Sequence, residues 1–313
     1  MKILVTGAHG LLGSSILRRA AGSAGSDIAH ELIGCGRGAE PVFAGVDYHQ
    51  IDLLDATAVR ELLAEVEPQW IIHTAAMTDV DGCETERDVA RRANVEPVQV
   101  LVAACEQVGD GRDIGLIQLS TDYVFDGKAG PYREEDETRP ISHYGELKLE
   151  SEGVLLNSAI KGVVLRTLWL YGYRRQARPN LVTWPLAALS RGEHLRIVDD
   201  QVGNPTFVGD VAKALLALCE REASGIFHLG GADLMTRYDL VRKLAELCRI
   251  DSGSVEPIST DELSQKAPRP LRSGLHCERL ISLGIEPSTL SQGLDQMKLE
   301  AEFRKDFPSL TEP

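Results

Sequence analysis

Tyr144 and Lys148 are the two side chains in this sequence whose types and spacing best fit a chemical reaction. They are four residues apart in a segment with helical character, so both would project from one face of a helix. When a ketone accepts a hydride, a phenol can protonate the resulting alkoxide if a nearby cation lowers its pKa from ~10. Lys148 would supply that charge and could also hold the nicotinamide ribose, so Tyr144 and Lys148 are predicted cofactor-binding residues too. The hydroxyl of Thr121 would hydrogen-bond the carbonyl oxygen. Thr121, Tyr144 and Lys148 are therefore predicted catalytic residues of a ketone reductase, with an amphipathic surface helix as the alternative interpretation.

Three glycines near the N-terminus predict a site for a dinucleotide. Gly7, Gly10 and Gly13 follow the first predicted strand and open the first predicted helix. Such glycines allow a tight turn, a close approach of the backbone to a pyrophosphate, and close packing of the helix. The N-terminus of that helix would offer free N–H groups and a positive dipole end to the phosphates. The candidate cofactor-binding residues of this turn also include the positions between the glycines, His9, Leu11 and Leu12.

The residues after the second and third predicted strands favour one form of the cofactor. An acid after the second strand would hold the ribose 2′-hydroxyl of NAD, but the sequence places Arg37 there and no acid. A guanidinium can pair with a 2′-phosphate, so NADP(H) is the preferred cofactor and NAD(H) the alternative. Asp52 and Leu53 follow the third strand, where they would line the adenine pocket unless Asp52 only begins a turn.

The order of the predicted elements explains how these residues would meet. Strands are predicted at residues 2–6, 31–36, 46–51, 70–73, 115–119 and 163–166. Helices are predicted at 11–20 and 87–108, around Tyr144 and Lys148, and after Asp55, which would cap a helix with apolar residues at i, i+3, i+4 and i+7. Repeated strand–helix–strand units require a parallel sheet covered on both faces. The predicted fold class is therefore α/β, a Rossmann-type doubly wound parallel sheet, whose ligands bind along the carboxyl edge of the strands.

After about residue 169 the predicted strands and helices no longer alternate regularly, which indicates a second, smaller lobe. Residues 1–168 would form the NAD(P)-binding domain, and about 207–230 would return to its sheet as a helix and a strand. Residues 169–206 and 231–313 would form a C-terminal α/β lobe that binds the substrate. Its Arg174, Arg175 and Arg178 would bind a diphosphate at the domain junction, or are ordinary surface residues.

The composition excludes several classes of function. The chain of 313 residues has a formal net charge of −14, which disfavours binding to nucleic acid. No apolar run approaches the ~20 residues of a membrane helix. The six cysteines are scattered without a C-x-x-C pair, and the eight histidines show no metal-ligand spacing, so we expect a cytoplasmic protein without a metal site.

Three motifs resemble the extended short-chain dehydrogenase/reductase superfamily. They are T-G-A-H-G-L-L-G at 6–13, S-T-D-Y-V-F-D-G at 120–127, and Y-x-x-x-K at Tyr144 and Lys148. Within that superfamily the chain is most similar to the dTDP-4-dehydrorhamnose reductases, over nearly its whole length. The resemblance implies a nicotinamide cofactor, a nucleotide-linked 4-keto sugar as substrate, and the same three catalytic residues.

The resemblance also implies roles for residues that the spacing alone does not single out. Ala75 and Ala76 would flank the nicotinamide, and Asn94 would support the active-site lysine through water unless it is only satisfied inside its helix. The residues expected near the sugar are Asp122, Tyr123 and Trp169. Two positions depart from the family pattern: His73 stands where Asn is often found, and Met77 where a polar or aromatic residue is frequent.

Two further functions remain open from the sequence. An epimerase or dehydratase of nucleotide sugars would share the fold and recycle a tightly held NAD. A non-catalytic, NADP-binding regulatory subunit would resemble the beta subunit of methionine adenosyltransferase, which shares many of these motifs. The sequence also leaves open whether the protein forms a homodimer.

Overall fold

The structure is a computed structural model that describes residues 1–21, 30–107 and 113–310 of the chain. In chain order its strands are β1 (Lys2–Thr6), β2 (Glu31–Gly36), β3 (Tyr48–Gln50), β4 (Trp70–His73), β5 (Gly115–Thr121), β6 (Gly162–Thr167), β7 (Leu170–Tyr171), β8 (Leu195–Val198), β9 (Val202–Gly203), β10 (Thr206–Phe207), β11 (Gly225–Leu229), β12 (Met235–Thr236) and β13 (Val255–Ile258).

The helices alternate with these strands and cover the sheet. They are α1 (Leu11–Ala21), α2 (Ala56–Val66), α3 (Val80–Thr85), α4 (Arg87–Asn94), α5 (Glu96–Gln107), α6 (His143–Leu156), α7 (Thr183–Ser190), α8 (Val208–Glu220), α9 (Arg237–Leu247), α10 (Glu278–Ser282), α11 (Leu290–Lys298) and α12 (Ala301–Asp306). Short 3₁₀ helices lie at Asp122–Val124, Thr260–Glu262 and Pro308–Leu310.

The central sheet has the strand order β3-β2-β1-β4-β5-β6-β11, and every neighbouring pair in it is parallel. The chain leaves β1 towards one edge, through β2 and β3, and then returns to β4 on the other side of β1. This reversal opens a crevice outside the carboxyl ends of β1 and β4, where ligands of doubly wound sheets bind. The predicted fold class is confirmed.

Apolar side chains on the two faces of the sheet form two separate cores. Ile3 and Val5 of β1 pack with α1 and α8, whereas Leu4 between them packs with α2 and α5 on the opposite face. Because successive strand residues point to opposite faces, a strand buried on both sides must be apolar throughout. Each fully buried aliphatic side chain contributes roughly 1.5–3 kcal/mol, which makes the strand ends a rigid base for the site.

The predicted elements are confirmed in most of the first half, with differences at three places. The third strand is shorter than predicted, at Tyr48–Gln50. The predicted helix over 87–108 is two helices, α4 and α5, which meet at Val95; its last residue, Val108, lies outside the described residues. Pro97 explains the break, because it has no N–H to continue the helix from α4 and fits the first turn of a new one. The short helix α3 was not predicted.

Residues beyond β6 form small pairs of strands around the crevice. They pair β7 with β10, β9 with β12, and β8 with β13. The predicted return to the main sheet corresponds to α8 and β11, which pairs in parallel with β6. Strand β9 and the first residue of β10 lie in the last part of the predicted lobe segment 169–206. The exact division into two domains stays a prediction.

The structure also bears on the predictions about membrane helices and cysteines. In the part of the chain that the structure describes, no helix is long and apolar enough to cross a membrane. All six cysteines are free thiols, and all except Cys248 are buried. The cytoplasmic setting and the homodimer stay predictions.

Candidate active site

Helix α6 places Tyr144 and Lys148 against the end of β5. Its N-terminus is capped by Ser142, whose hydroxyl accepts a hydrogen bond from the Gly145 amide at 3.3 Å. A Cβ at Gly145 would lie only 2.2 Å from the Tyr123 carbonyl oxygen, so glycine allows the helix to approach the residues that follow β5. Tyr144 is 8% exposed and Lys148 only 3%, so both side chains face inward. The interpretation as a surface helix is therefore wrong.

The acidity of Tyr144 differs from the sequence-based expectation. We expected the cation at Lys148 to lower the pKa of the phenol, but burial raises it, and Asp122, Tyr123 and Cys83 act in the same direction. Only the hydrogen bond from Thr121 lowers the pKa. The reason is that removal of the phenolate from water outweighs the favourable interactions nearby. The phenol thus stays protonated, which is the form that a reductase needs before it donates a proton.

A buried ion pair lies directly beneath Lys148. Burial lowers the pKa of Lys148 to about 8, and Glu152, one turn further along α6, acts against this change. Glu152 forms a bidentate ion pair with Arg166, with N–O distances of 3.0 and 2.7 Å, and also accepts a hydrogen bond from Ser120. Since Glu152 is already bound by Arg166, most of its charge is balanced there, and Lys148 keeps an ammonium available to the crevice.

Thr121 and Asp122 form a hydrogen-bonded pair at the carboxyl end of β5. The Thr121 hydroxyl donates to Asp122 Oδ1 at 3.0 Å, and the Ser273 hydroxyl donates to Asp122 Oδ2. Burial raises the pKa of Asp122 to about 6, although Ser273 and Thr121 oppose the change. Ser273 comes from a distant segment, so this carboxylate joins the main sheet to the C-terminal residues.

The glycine turn after β1 fits a pyrophosphate. Gly7 has a positive φ of 66°, and a Cβ there would lie 2.7 Å from the Ala75 amide nitrogen. A Cβ at Gly13 would lie 2.4 Å from the Gly7 carbonyl oxygen, whereas the exposed Gly10 leaves the outer side of the turn open. The absence of side chains at these glycines lets the turn pack closely at the N-terminus of α1, whose free N–H groups can bind phosphates. Leu11 and Leu12 begin α1, and Leu12 is buried.

The residues predicted to bind the adenosine part of the cofactor lie after β1, β2 and β3. Some of them are exposed, and others make contacts within the protein. Arg37 is exposed just beyond β2, where its guanidinium is free to meet a 2′-phosphate. His9 packs edge-on against Tyr48 with ring centroids 5.2 Å apart, which closes the turn beside Arg37. Asp52 accepts a hydrogen bond from the Leu54 amide at 3.1 Å, and Leu53 is buried in the core. Asp52 therefore stabilises a turn in the structure, as the alternative interpretation had it.

Residues after β4 form the wall next to the glycine turn. Ala75 is half-buried against Gly7, and Ala76 is exposed. The Asn94 amide group is bound to Met77, accepting from its N–H and donating to its carbonyl oxygen, each at 3.1 Å. Asn94 thus holds this loop in place, and its predicted support of Lys148 stays untested. His73 Nδ1 lies 2.7 Å from Thr6 Oγ1, within hydrogen-bond distance. Burial, together with the charge of Lys148, lowers the pKa of His73 to about 3, so its imidazole is neutral.

Tyr123, Trp169 and two arginines form the side of the crevice opposite the glycine turn. Tyr123 packs edge-on against Tyr144, with ring centroids 5.6 Å apart. The Arg237 guanidinium lies 5.2 Å from the centre of the Trp169 ring. Arg269 is held by Asp81 at 2.9 Å, and Asp81 also accepts two backbone N–H groups.

Arg237, Arg269 and Ser273 also belong to this site, although none of them was predicted from the sequence. Arg269 and Ser273 lie in the segment R-P-L-R-S at 269–273, whose similarity to the family was the only available signal. No sequence signal pointed to Arg237, because a single arginine at the start of a helix is common.

The arginines at 174, 175 and 178 lie elsewhere. Arg175 pairs with Asp306 of α12, and Arg174 lies 6.0 Å from the Phe43 ring centre. All three arginines line a cavity of about 290 Å³ between the loop after β7, α7 and the C-terminal helices. None of the contacts described for these three arginines involves Tyr123, Tyr144 or Asp122.

Comparisons with known proteins agree with this geometry. The chain is 35% identical over 313 residues to a protein from Haloferax volcanii named probable low-salt glycan biosynthesis reductase, with 99% of this chain and 100% of that protein covered. It is 34% identical over 295 residues to methionine adenosyltransferase 2 subunit beta of Bos taurus, covering 92% of this chain and 84% of that one. A crystal structure of dTDP-4-dehydrorhamnose reductase from Bacillus anthracis in complex with NADP has a TM-score of 0.81 and 25% identity, covering 95% of this chain and 98% of that one.

The parallel sheet, the glycine turn and the buried Tyr144–Lys148 pair define an NAD(P)-dependent oxidoreductase of the extended short-chain dehydrogenase/reductase type. Within that class, the family described as the RmlD substrate binding domain matches residues 1–302. The chain belongs to this family.

Proposed function

We propose that the protein uses NADPH to reduce the 4-keto group of a dTDP-linked 6-deoxyhexose. One observation carries the proposal: α6 packs on β5 and buries Tyr144 and Lys148 at its carboxyl end, where Thr121 is also buried, on the same edge of the sheet as the glycine turn. The similarity to dTDP-4-dehydrorhamnose reductase of Bacillus anthracis supports the choice of substrate.

Each residue of the pair has a role that its surroundings favour. When bound at the glycine turn, a reduced nicotinamide supplies the hydride. The Thr121 hydroxyl, which donates to Asp122 in the structure, would turn its one proton to the carbonyl oxygen of the substrate and so stabilise the charge that develops there. Tyr144, kept protonated by burial, gives its proton to the same oxygen. Lys148 keeps a positive charge beside them and stabilises the phenolate that remains.

The experiment is a reduction of dTDP-4-dehydro-L-rhamnose with NADPH that is deuterated at the transferable position of the nicotinamide. We expect oxidation of NADPH that depends on the sugar nucleotide, and a product with deuterium at the sugar C4, detected by mass spectrometry and NMR. No sugar-dependent oxidation would contradict the proposal.

The same sample distinguishes the two alternatives. A nicotinamide that co-purifies with the protein, with isomerised sugar and no net NADPH consumption, would indicate an epimerase. Binding of NADPH without turnover would indicate a regulatory protein. Neither alternative is favoured by the match to the RmlD family or by the similarity to dTDP-4-dehydrorhamnose reductase.

A further inference from the structure

A row of three polar side chains crosses the central sheet on the face that α6 covers. Thr6, His73 and Gln118 are paired in register on β1, β4 and β5, so their side chains point to the same face of the sheet. Residues two positions earlier on these strands pack with Leu155 of α6, which identifies the face. All three polar side chains are buried, among neighbours that are otherwise apolar.

Two atoms of this row are buried and unpaired. His73 Nε2 and Gln118 Oε1 have no hydrogen-bond partner among the described residues. Buried polar atoms in folded proteins are nearly always paired, either with the protein or with an ordered water. Two such atoms on neighbouring strands therefore indicate a shared partner.

Both unpaired atoms are hydrogen-bond acceptors. The Gln118 amide nitrogen donates to the Leu119 carbonyl oxygen at 2.9 Å, which leaves the amide oxygen as the unpaired atom. The imidazole of His73 is neutral, so only one of its nitrogens carries a proton. Its Nδ1 lies 2.7 Å from Thr6 Oγ1. The positive charge of Lys148 favours the tautomer in which Nδ1 donates to Thr6 and Nε2 keeps its lone pair.

Lys148 lies beside both acceptors and has only donors to offer. Its charge acts on His73, and the Gln118 amide nitrogen lies 3.5 Å from Ser151 Oγ, which donates to the Lys148 carbonyl oxygen at 2.7 Å. Gln118 thus lies against the turn of α6 that begins at Lys148. The ammonium has three N–H groups, yet it forms a direct hydrogen bond with neither acceptor. Polar groups too far apart for direct contact are commonly bridged by a water.

The charged and titratable groups around Lys148 leave this role to the two acceptors. Glu152 of α6 is bound by Arg166 of β6, and Tyr144 stays protonated. On β5, Ser120 carries no charge and donates to Glu152. Burial raises the pKa of the other buried titratable groups on the elements packed against α6, which are Cys83, Cys105, Asp122 and Tyr123.

We infer that His73 and Gln118 position Lys148 through one buried water, which donates to His73 Nε2 and Gln118 Oε1 and accepts a hydrogen bond from the ammonium. Three partners are the usual number for a buried water, and its two protons match the two acceptors. Hydrogen bonding to the ammonium favours the charged form of Lys148. Asn94, which the resemblance assigned to this support, is bound to Met77 instead. The inference rests on the proposed function and makes the role of Lys148 more specific.

The titration of Lys148 in the ligand-free protein tests the inference without any turnover. With ¹³C-labelled lysine, NMR follows the side-chain signal that is lost in Lys148→Arg. His73→Leu and Gln118→Met each remove one acceptor, so we expect the midpoint to fall by roughly one pH unit as the ammonium loses its bridged partner. His73→Asn keeps an acceptor and should restore part of the shift. Gln118→Glu places a carboxylate there and should raise the midpoint.

Thr167→Val is the matched control for these variants. The Thr167 hydroxyl is also buried and unpaired among the described residues, but alternation along β6 places it with Leu165 on the opposite face of the sheet. We expect the midpoint of Lys148 to stay native in this variant. A native midpoint in both His73→Leu and Gln118→Met, or an equal fall in Thr167→Val, would overturn the inference.

A crystal structure of the native protein that orders buried waters is a second test and needs no variant. A water within about 3.2 Å of Lys148 Nζ, His73 Nε2 and Gln118 Oε1 would support the inference. A direct contact of the ammonium with either acceptor, or no water between them, would contradict it.

Kinetics separate this inference from the proposed function. With an active sugar nucleotide, the decline of kcat/KM at high pH should begin at lower pH in His73→Leu than in the native enzyme. A loss of kcat that is equal at every pH would indicate a merely structural effect and contradict the positioning role. If the native protein reduces no sugar nucleotide, the proposed function fails, whereas the lysine titration still decides whether His73 and Gln118 hold Lys148.

Discussion

The two sides of the crevice are built in different ways. The cofactor side is formed largely by backbone: Gly7, Gly10 and Gly13 lie within a single turn, whose close packing against Ala75 and against itself requires residues without a side chain at Gly7 and Gly13. The substrate side is formed by side chains, Tyr123, Trp169 and Arg237, from segments that lie far apart in the sequence and meet only in the folded protein.

This difference separates what each side can discriminate. A backbone cradle at a helix N-terminus binds phosphates of any dinucleotide, because N–H groups and a dipole do not read the rest of the ligand. Side chains of fixed length and charge contact particular groups of a ligand, so they can distinguish one substrate from another. Variation in substrate among related chains should therefore concentrate on the side-chain side.

The largest expected effect is on the substrate side, at the phenol itself. Tyr144→Phe removes the proton donor and keeps the ring that packs against Tyr123, so we expect kcat to fall by about 10²- to 10⁴-fold. Binding of dTDP and NADPH should remain close to native. Tyr132→Phe is a control, because its hydroxyl binds Asp126 away from the crevice. A Tyr144→Phe enzyme with native kcat would show that this phenol is not the acid.

On the cofactor side, the addition of a single methyl group to the glycine turn should lower the affinity for NADPH. Gly13→Ala places a Cβ 2.4 Å from the Gly7 carbonyl oxygen, and the turn must move to accommodate it. Overpacking of this kind costs about 1–3 kcal/mol, so we expect NADPH affinity to fall by roughly 10- to 100-fold, measured by calorimetry. Gly153→Ala in α6 is the matched control, since only the end of Asn157 lies within 4 Å. Equal NADPH affinity in both variants would contradict the backbone cradle.

The same difference explains how much the sequence could predict. β1, β2 and β4 were predicted at their observed bounds because each is a short apolar run next to a turn, and Asp55 caps α2 as its position indicated. The glycine turn is equally local. The fold class and one side of the crevice thus follow from patterns within a few residues.

The other side depends on contacts that no local pattern encodes. The strands β7, β9, β10 and β12 are two residues long, too short for any periodicity, yet they carry the loops around Trp169 and Arg237. The acidity of Tyr144 was predicted in the wrong direction, because burial is a property of the whole fold and not of spacing along a helix. Beyond Thr121 and Tyr144, the residues proposed for the substrate side therefore had to come from the structure or from resemblance.

Lys148 lies between the two sides, and its titration should be visible in activity. Its pKa of about 8 means that the ammonium is present below pH 8 and is lost as the pH rises above it. We expect kcat/KM to be level below about pH 8 and to fall by up to tenfold for each further pH unit. In Lys148→Arg the decline should move to higher pH, because a guanidinium stays charged. A profile that is identical in both enzymes would exclude Lys148 as its origin.

The smallest expected effect is on the choice between NADPH and NADH. Arg37 is exposed, so its contact with a 2′-phosphate would be screened by water and worth about 1 kcal/mol. Arg37→Ala should therefore raise KM for NADPH by roughly fivefold and leave KM for NADH unchanged. Arg60→Ala, which changes a half-buried arginine of α2 that contacts Gln107, should change neither. High salt should reduce the preference in the native enzyme for the same reason. An unchanged ratio of the two KM values in Arg37→Ala would mean that Arg37 does not set the choice between NADPH and NADH.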